Sequence, residues 1–315
     1  MKLQIAVIQY LTYRKSLGEQ FLTNDYYLRT FVLAIGQKKN LSDVQAKQVS
    51  TFLAGNGPIT SSWHAKYQAL YGFYRYVVSR GYIRTSPLPT TIPKRPQSLV
   101  PYIYDVKELR ALLDGSLTYQ KNRGRLEPYM VRMFLLLLFS AGLRFREAIN
   151  LTMADVNLSQ AVLTIRETKF RKTRLVPLGT QLTNSLFKYA LRRQQEGYSQ
   201  NHDAPFFIGR NGESIKKTTF QSAFRAICKK AGIKRTDNTR YQPRIHDLRH
   251  SFAVHRLTEW YKEGSNVQEL LPALSVFMGH AKLAGTSVYL TMTPTLLEEA
   301  GNRFQNYAFK ETLHD

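Results

Sequence analysis

The sequence predicts a mainly α chain with a small β-sheet, an α+β protein in two domains. Three observations carry this expectation. Apolar residues recur at helical spacing along most of the chain, and a period-two pattern surfaces only over residues 161–178. The stretch Ser86 to Pro101, SPLPTTIPKRPQSLVP, holds five prolines and breaks all periodicity, so it reads as an extended linker. With 315 residues, 43% of them hydrophobic, both halves carry enough apolar surface for a core. The domains are expected at 1–97, linker included, and 98–315.

Before the linker, stretches near 3–17 and 42–54 are amphipathic. Leu28, Phe31, Val32 and Ile35 follow helical spacing behind a candidate cap at Asn24. Trp63, Tyr67, Leu70, Tyr71 and Tyr74 repeat the spacing before a stop at Gly81. The aromatic run Tyr67, Tyr71, Phe73, Tyr74 and Tyr76 is read as core. After the linker, VKELRALLDG predicts one helix. YMVRMFLLLLFSAGLRFREAINL predicts another, apolar nearly all round and therefore central to its domain. AVLTIRE (161–167) and RLVPL (174–178) are strand-like runs around the basic segment Thr168 to Thr173, a β-hairpin with a charged tip. A further helix is expected from Thr218, with Gln221 completing a capping box, to Gly232. Leu296, Leu297, Ala300 and Phe304 mark a C-terminal helix.

The chain carries 45 Lys and Arg against 22 Asp and Glu, a net charge of +23. Thirteen basic and three acidic residues fall within 1–97, so both domains are basic and no isolated tail holds the charge. Such a distribution favours nucleic acid over a membrane surface as the polyanionic partner. The longest apolar run, Met133 to Leu143, is far short of the roughly 20 residues a bilayer needs. The start lacks a secretory pattern, which gives the expectation of a cytoplasmic protein. A single cysteine, Cys228, excludes an intramolecular disulfide framework and a Cys-based zinc site. His246 and His250 have the i, i+4 spacing of zinc ligands, but Arg249 between them would repel a cation.

Four clusters can carry chemistry: AGLRFRE (141–147), TKFRKTR (168–174), RIHDLRHSF (244–252) and MGHAKLAGTSVY (278–289). Taken singly, each has an ordinary reading. Arg144 and Glu147 suit a helix-surface ion pair, and lone histidines such as His280 are usually structural. Two facts raise their interest. Arg144 closes a strongly apolar segment, where a buried guanidinium needs a carboxylate or a bound anion. His246 and Arg249 share one helix face that suits an anion.

In order, the boxes GLRFRE, IRETKFRKTRLVPL, HDLRHSFA and MGH, followed nine positions later by Tyr289, resemble the tyrosine recombinases of the phage-integrase family. The motifs span roughly residues 98–300, while 1–97 matches only in character, as a basic helical core DNA-binding domain. The resemblance implies a clamp of two domains around double-stranded DNA and a site of Arg144, Lys169, His246, Arg249 and His280, with Tyr289 as nucleophile. Two arginines would balance charge on the phosphate oxygens, His280 would donate to them, His246 would take the tyrosine proton and Lys169 would protonate the leaving 5′ oxygen. Met278 stands where the family usually has leucine, and Phe170 where glycine is common. Lys172 is therefore a second candidate for the lysine role, as Arg146 is for that of Arg144.

Further DNA contacts are expected from Lys172, Arg174, Lys216, Lys217 and Arg225. The resemblance implies a 3′-phosphotyrosyl intermediate, no metal or ATP cofactor, and strand exchange through a Holliday junction in a homo-tetramer. Sister recombinases or a directionality factor are possible partners, and a prokaryotic nucleoid is the expected location. TEWYKEGSNVQELLPALSVFMGH and YLTMTP look like recombinases of transposons and other mobile elements. The rival readings are a type IB-like topoisomerase, which reseals the same strand, and a non-catalytic DNA-binding accessory subunit.

Overall fold

The computed structural model describes residues 1–96, 100–120, 124–166, 173–237, 239, 241–292 and 294–311. Its contacts divide the chain into two compact units, Met1–Leu99 and Val100–Asp315.

The first unit is a helical bundle of α1 (Leu3–Ser16), α2 (Leu22–Ile35), α3 (Ala46–Ala54) and α4 (Ser61–Ser79). Leu3, Val7, Leu28, Phe31, Val49, Leu53, Leu70 and Phe73 close its core. Asn24 does not cap α2. The helix begins earlier, behind Phe21, whose backbone is left-handed at φ 47°. The Phe21 ring packs edge-on against Tyr10 at 5.7 Å and beneath the Arg14 guanidinium at 4.8 Å. No side-chain hydrogen bond caps the helix, and the half-buried Phe21 ring packs against the bundle core at its start. Of the aromatic run, Tyr67, Phe73 and Tyr74 are core, Tyr76 is half-buried, and Tyr71 is exposed with its ring stacked on Tyr67.

The second unit opens with α5 (Val106–Thr118), whose start is fixed by a capping box between Asp105 and Glu108. Next comes α6 (Pro128–Ser140), with Met130, Val131, Met133, Phe134, Leu135, Leu137 and Leu138 all buried. The all-round apolar pattern thus marks the central helix. The single helix expected through residue 151 is instead broken, and α7 (Phe145–Ile149) is a separate turn of helix. Gly142 makes the break, with φ +58° and the Phe252 ring filling the space where a Cβ would sit.

The sheet has order β1 (Val156–Asn157), β2 (Val162–Ile165), β3 (Arg174–Pro177), antiparallel throughout. Its last described pair is Ile165 with Arg174. The hairpin tip, residues 167–172, lies outside the described residues. The short β1 was not expected from sequence.

There follow α8 (Thr180–Gln195), α9 (Lys217–Lys230), α10 (Asp247–Lys262), α11 (Val267–Met278), α12 (Ala284–Ser287) and α13 (Pro294–Glu311). The Thr218 capping box is not formed. Burial of Phe220 starts α9 at Lys217, with the Phe220 N–H donating to the Lys216 carbonyl at 3.1 Å. A 3₁₀ turn, Val288–Thr291, precedes α13. Leu296 of α13 is fully buried in the cluster that holds Phe252 and Leu257 of α10. No helix among the described residues is long and apolar enough to cross a membrane.

Gly142→Ala is expected to destabilise the protein by roughly 2–5 kcal/mol, combining a left-handed backbone penalty with overpacking against Phe252. A denaturant melt checks this.

Candidate active site

The site grows from one carboxylate. Arg144 stands immediately before α7 and closes its first turn reciprocally with Glu147. Its N–H donates to Oε2 at 2.9 Å and its Nη1 to Oε1 at 2.7 Å. From β3, Arg174 forks onto both oxygens of the same carboxylate at 3.0 and 2.8 Å. From α10, Arg249 brings Nη1 to 4.0 Å of Oε2. The Glu147 side chain is 8% exposed. Burial pushes its pKa up, but hydrogen bonds from Arg174 and from the Arg144 backbone and guanidinium outweigh it and hold the carboxyl at about 2.

The same three arginines cap the C-terminal end of α11. Arg174 Nε donates to the Phe277 carbonyl at 3.0 Å, Arg249 Nη2 to Met278 at 2.5 Å, and Arg144 Nη2 to Gly279 at 2.7 Å. The last carbonyls of a helix have no partners within it and carry the negative end of its dipole. Three successive residues thus each receive one guanidinium. Gly279 ends α11 with φ +68°, and a Cβ there would lie 2.7 Å from Arg174 Nη1. His280 follows directly.

Arg249, 2% exposed, also donates to the Gly142 carbonyl at 2.6 Å. Burial, then the like charge of Arg144, lowers its pKa to about 10, which leaves it cationic at neutral pH. His280 Nδ1 meets Thr286 Oγ1 at 2.7 Å, and burial with the nearby Arg249 and Arg144 charges lowers its pKa to about 4. Tyr289, in the 3₁₀ turn, is 2% exposed, and its ring lies 6.2 Å from that of His280. Burial raises its pKa, while Arg249 and Arg144 pull it back. Its hydroxyl meets His250 Nδ1 at 3.1 Å. His246, beside α10, keeps an exposed surface, and its pKa is lowered by desolvation and then by Arg249.

The structure therefore gathers Arg144, Arg249, His280 and Tyr289, with His246 at the rim and its ring 4.8 Å from that of His250. Arg146 is exposed, so Arg144 alone joins the cluster. Lys169 and Lys172 lie outside the described residues. Arg174, expected at the surface, is an internal strut: its side chain is 10% exposed and is held by Glu147 and Phe277. Lys216, Lys217 and Arg225 are exposed. Lys217 and Arg225 line an open cavity of about 1130 Å³ together with Lys229, Lys234, Arg244 and His246. Among the described residues no group of three or more His, Cys, Asp or Glu is arranged to hold a metal ion.

The sequence profile of the phage integrase family matches residues 105–295, more than half of the chain and every described residue of this cluster. The chain belongs to the phage integrase family. Among its relatives, a Sinorhizobium fredii protein provisionally named integrase/recombinase y4rE is 31% identical over 94% of each chain. Tyrosine recombinase XerC of Pseudomonas aeruginosa is 30% identical, covering 85% of this chain and 83% of its own. Of solved structures, the Tn1549 transposon integrase in complex with a circular intermediate DNA matches at TM-score 0.70 and 14% identity, covering 97% of this chain and 99% of that one. That likeness establishes the fold. The protein is a tyrosine recombinase, a DNA strand-transferring enzyme of site-specific recombination, and these similarities do not favour the topoisomerase or accessory readings.

Two residues of the recombinase's cluster carry more than the sequence reading gave them. Glu147 was visible only as half of an ion pair, and His250 only as half of a zinc-like spacing. The signal for His250 is its i, i+4 spacing from His246, which puts the two rings on one face.

Glu147→Gln leaves the arginines without their counter-charge and is expected to cost roughly 3 kcal/mol at neutral pH, from the depressed carboxyl pKa. A folded-state pKa below the ordinary 4.5 stabilises above that value, so the gap between wild type and variant should shrink as pH falls from about 4.5 toward 2. Thermal melts across that range read it.

Proposed function

We propose that Tyr289 attacks a phosphodiester of duplex DNA while Arg144 and Arg249 hold the non-bridging oxygens, giving a 3′-phosphotyrosyl link and a free 5′ hydroxyl. The observation that carries this reading is a charge imbalance. Among the described residues three guanidiniums share one carboxylate, Glu147, which leaves two positive charges uncompensated beside the tyrosine. A phosphodiester under attack by a phenolate accumulates two negative charges, so the site is balanced at the five-coordinate state and not before. Arginine suits the task because its forked donors fit phosphate and stay protonated.

His280, neutral at pH 7 and tethered through Nδ1 to Thr286, offers its other ring nitrogen to the same oxygens. His246, with its lowered pKa, is in the form that takes up the tyrosine proton. Lys169 protonates the departing 5′ oxygen, with Lys172 as the alternative. The basic cavity that holds Lys217 and Arg225 receives the DNA backbone beside His246, and Lys216 extends the same positive edge.

The domains act as a core-binding unit, residues 1–97, and a catalytic unit, 98–315, that clamp the duplex. The Tn1549 integrase likeness and the relatives' integrase names support a role in moving a mobile element. Four protomers, with a directionality factor or sister recombinase where the element supplies one, would carry out two rounds of exchange in the nucleoid.

The test is a nicked suicide duplex bearing the element's end, incubated without metal. A covalent adduct is expected with the wild type and none with Tyr289→Phe; an adduct in the variant would place the nucleophile elsewhere. A 5′-bridging sulfur leaving group needs no proton. It is expected to restore cleavage to Lys169→Ala but not to Arg249→Ala, and rescue of Lys172→Ala instead would move the acid to Lys172.

A further inference from the structure

We propose that His250 is the residue that positions the Tyr289 hydroxyl for attack, a role that rests on Tyr289 being the nucleophile. Three histidines belong to this cluster, two of them in ring contact with Tyr289, and their hydrogen bonds separate them. His280 spends Nδ1 on Thr286 Oγ1 at 2.7 Å and meets Tyr289 only through its ring face. Among the described residues His246 makes no hydrogen bond to the phenol, although its ring packs edge-on to His250 at 4.8 Å. Of the three histidines it is His250 that reaches Oη, with Nδ1 at 3.1 Å and ring centroids 5.6 Å apart, and the Arg249 guanidinium also hydrogen-bonds the phenol.

The donor and acceptor states fit this contact. Burial first, and then His246 and the neighbouring Arg244 and Arg249, lower the His250 pKa to about 4. Its ring is therefore neutral at physiological pH, and Nδ1 can offer a lone pair. Burial likewise keeps the Tyr289 phenol protonated, so the O–H donates. A phenol turns freely about its ring axis and its C–O bond, and one fixed acceptor selects the orientation of the oxygen's remaining lone pairs. The acceptor is itself well anchored. His250 follows Arg249 on α10, and Arg249 is bonded to Gly142 and Met278 and packed beside Glu147. The nucleophile is thus tied to α10 through His250 as well as through Arg249 itself, with His250 as the acceptor of its proton.

Single-turnover adduct formation on the nicked suicide duplex tests this, with Tyr289→Phe as control and gel-shift affinity measured alongside. His250→Ala is expected to form adduct at least tenfold more slowly at unchanged DNA affinity. His250→Asn, whose Oδ1 falls near the place of Nδ1, should recover much of the rate. His250→Gln, which reaches toward the Nε2 position, should not. In protein labelled with ¹³Cζ-tyrosine, the resonance missing from Tyr289→Phe should shift in His250→Ala and move back in His250→Asn. Equal losses in Ala, Asn and Gln that track thermal stability would reduce His250 to packing and overturn the proposal. So would a wild-type rate in His250→Ala while Tyr289→Phe is dead, an outcome that leaves the nucleophile assignment standing. Adduct formation by Tyr289→Phe would overturn that assignment itself, and with it the role of His250.

Discussion

One carboxylate determines the geometry of the second unit's site. Arg144, Arg174 and Arg249 come from a helix start, a strand and a helix interior, and without Glu147 their mutual repulsion would drive these elements apart. Glu147 is shared by three cations, which is why burial fails to neutralise it. The arrangement has a second anchor in the end of α11, where three successive carbonyls each take one of the same guanidiniums. A buried ion pair is rarely a source of net stability, because desolvation offsets its attraction. Here the cluster's value lies in position. It fixes several donors with no reorganisation left to perform, and it does so beside a tyrosine.

The balance of charge gives that position a chemical meaning. With two more anions among the arginines the site would be neutral and would have no charge to offer a phosphate. With none, the cluster would not hold together. Under the proposed chemistry a surplus of two positive charges is a compromise between folding and catalysis, since it costs stability in the free protein and would be relieved by phosphate charge. Arg249, whose pKa is lowered first by burial and then by the like charge of Arg144, at about 10 still keeps its proton under physiological conditions.

Much of this was legible in the sequence, and the exceptions share a cause. Arg144, Arg249, His280 and Tyr289 stand in motifs whose order along the chain is distinctive, so the residues could be named before their geometry was known. The α6 core was equally plain, because a helix apolar on every side has nowhere to go but the interior. What failed was local punctuation. Asn24 and Thr218 looked like caps, but burial of Phe21 against Tyr10 and of Phe220 moved both helix starts. The break between α6 and α7 was missed although Gly142 was in view, since only the Phe252 ring from a distant helix reveals why that glycine is needed. Arg174 failed in the same way. In a run of basic residues it looks like its neighbours, and only its tertiary partner, 27 residues away in sequence, makes it internal.

The placement of Arg174 links the site to the hairpin. Arg174 is the first residue of β3 and pairs with Ile165, the last of β2, so the ladder's open end is fastened to the carboxylate that organises the arginines. Lys169 lies four positions beyond Ile165 and five before Arg174. Whatever path the tip follows, its two roots are held by a backbone pair on one side and a forked ion pair on the other. Under the proposed chemistry the leaving-group acid must reach the far side of the phosphate from the tyrosine, which calls for a long side chain such as lysine. Ile165 and Arg174, which flank the tip in sequence, are therefore set in the same frame as Glu147 and the arginines beside Tyr289, so a lysine supplied from between them works from the frame that the carboxylate organises.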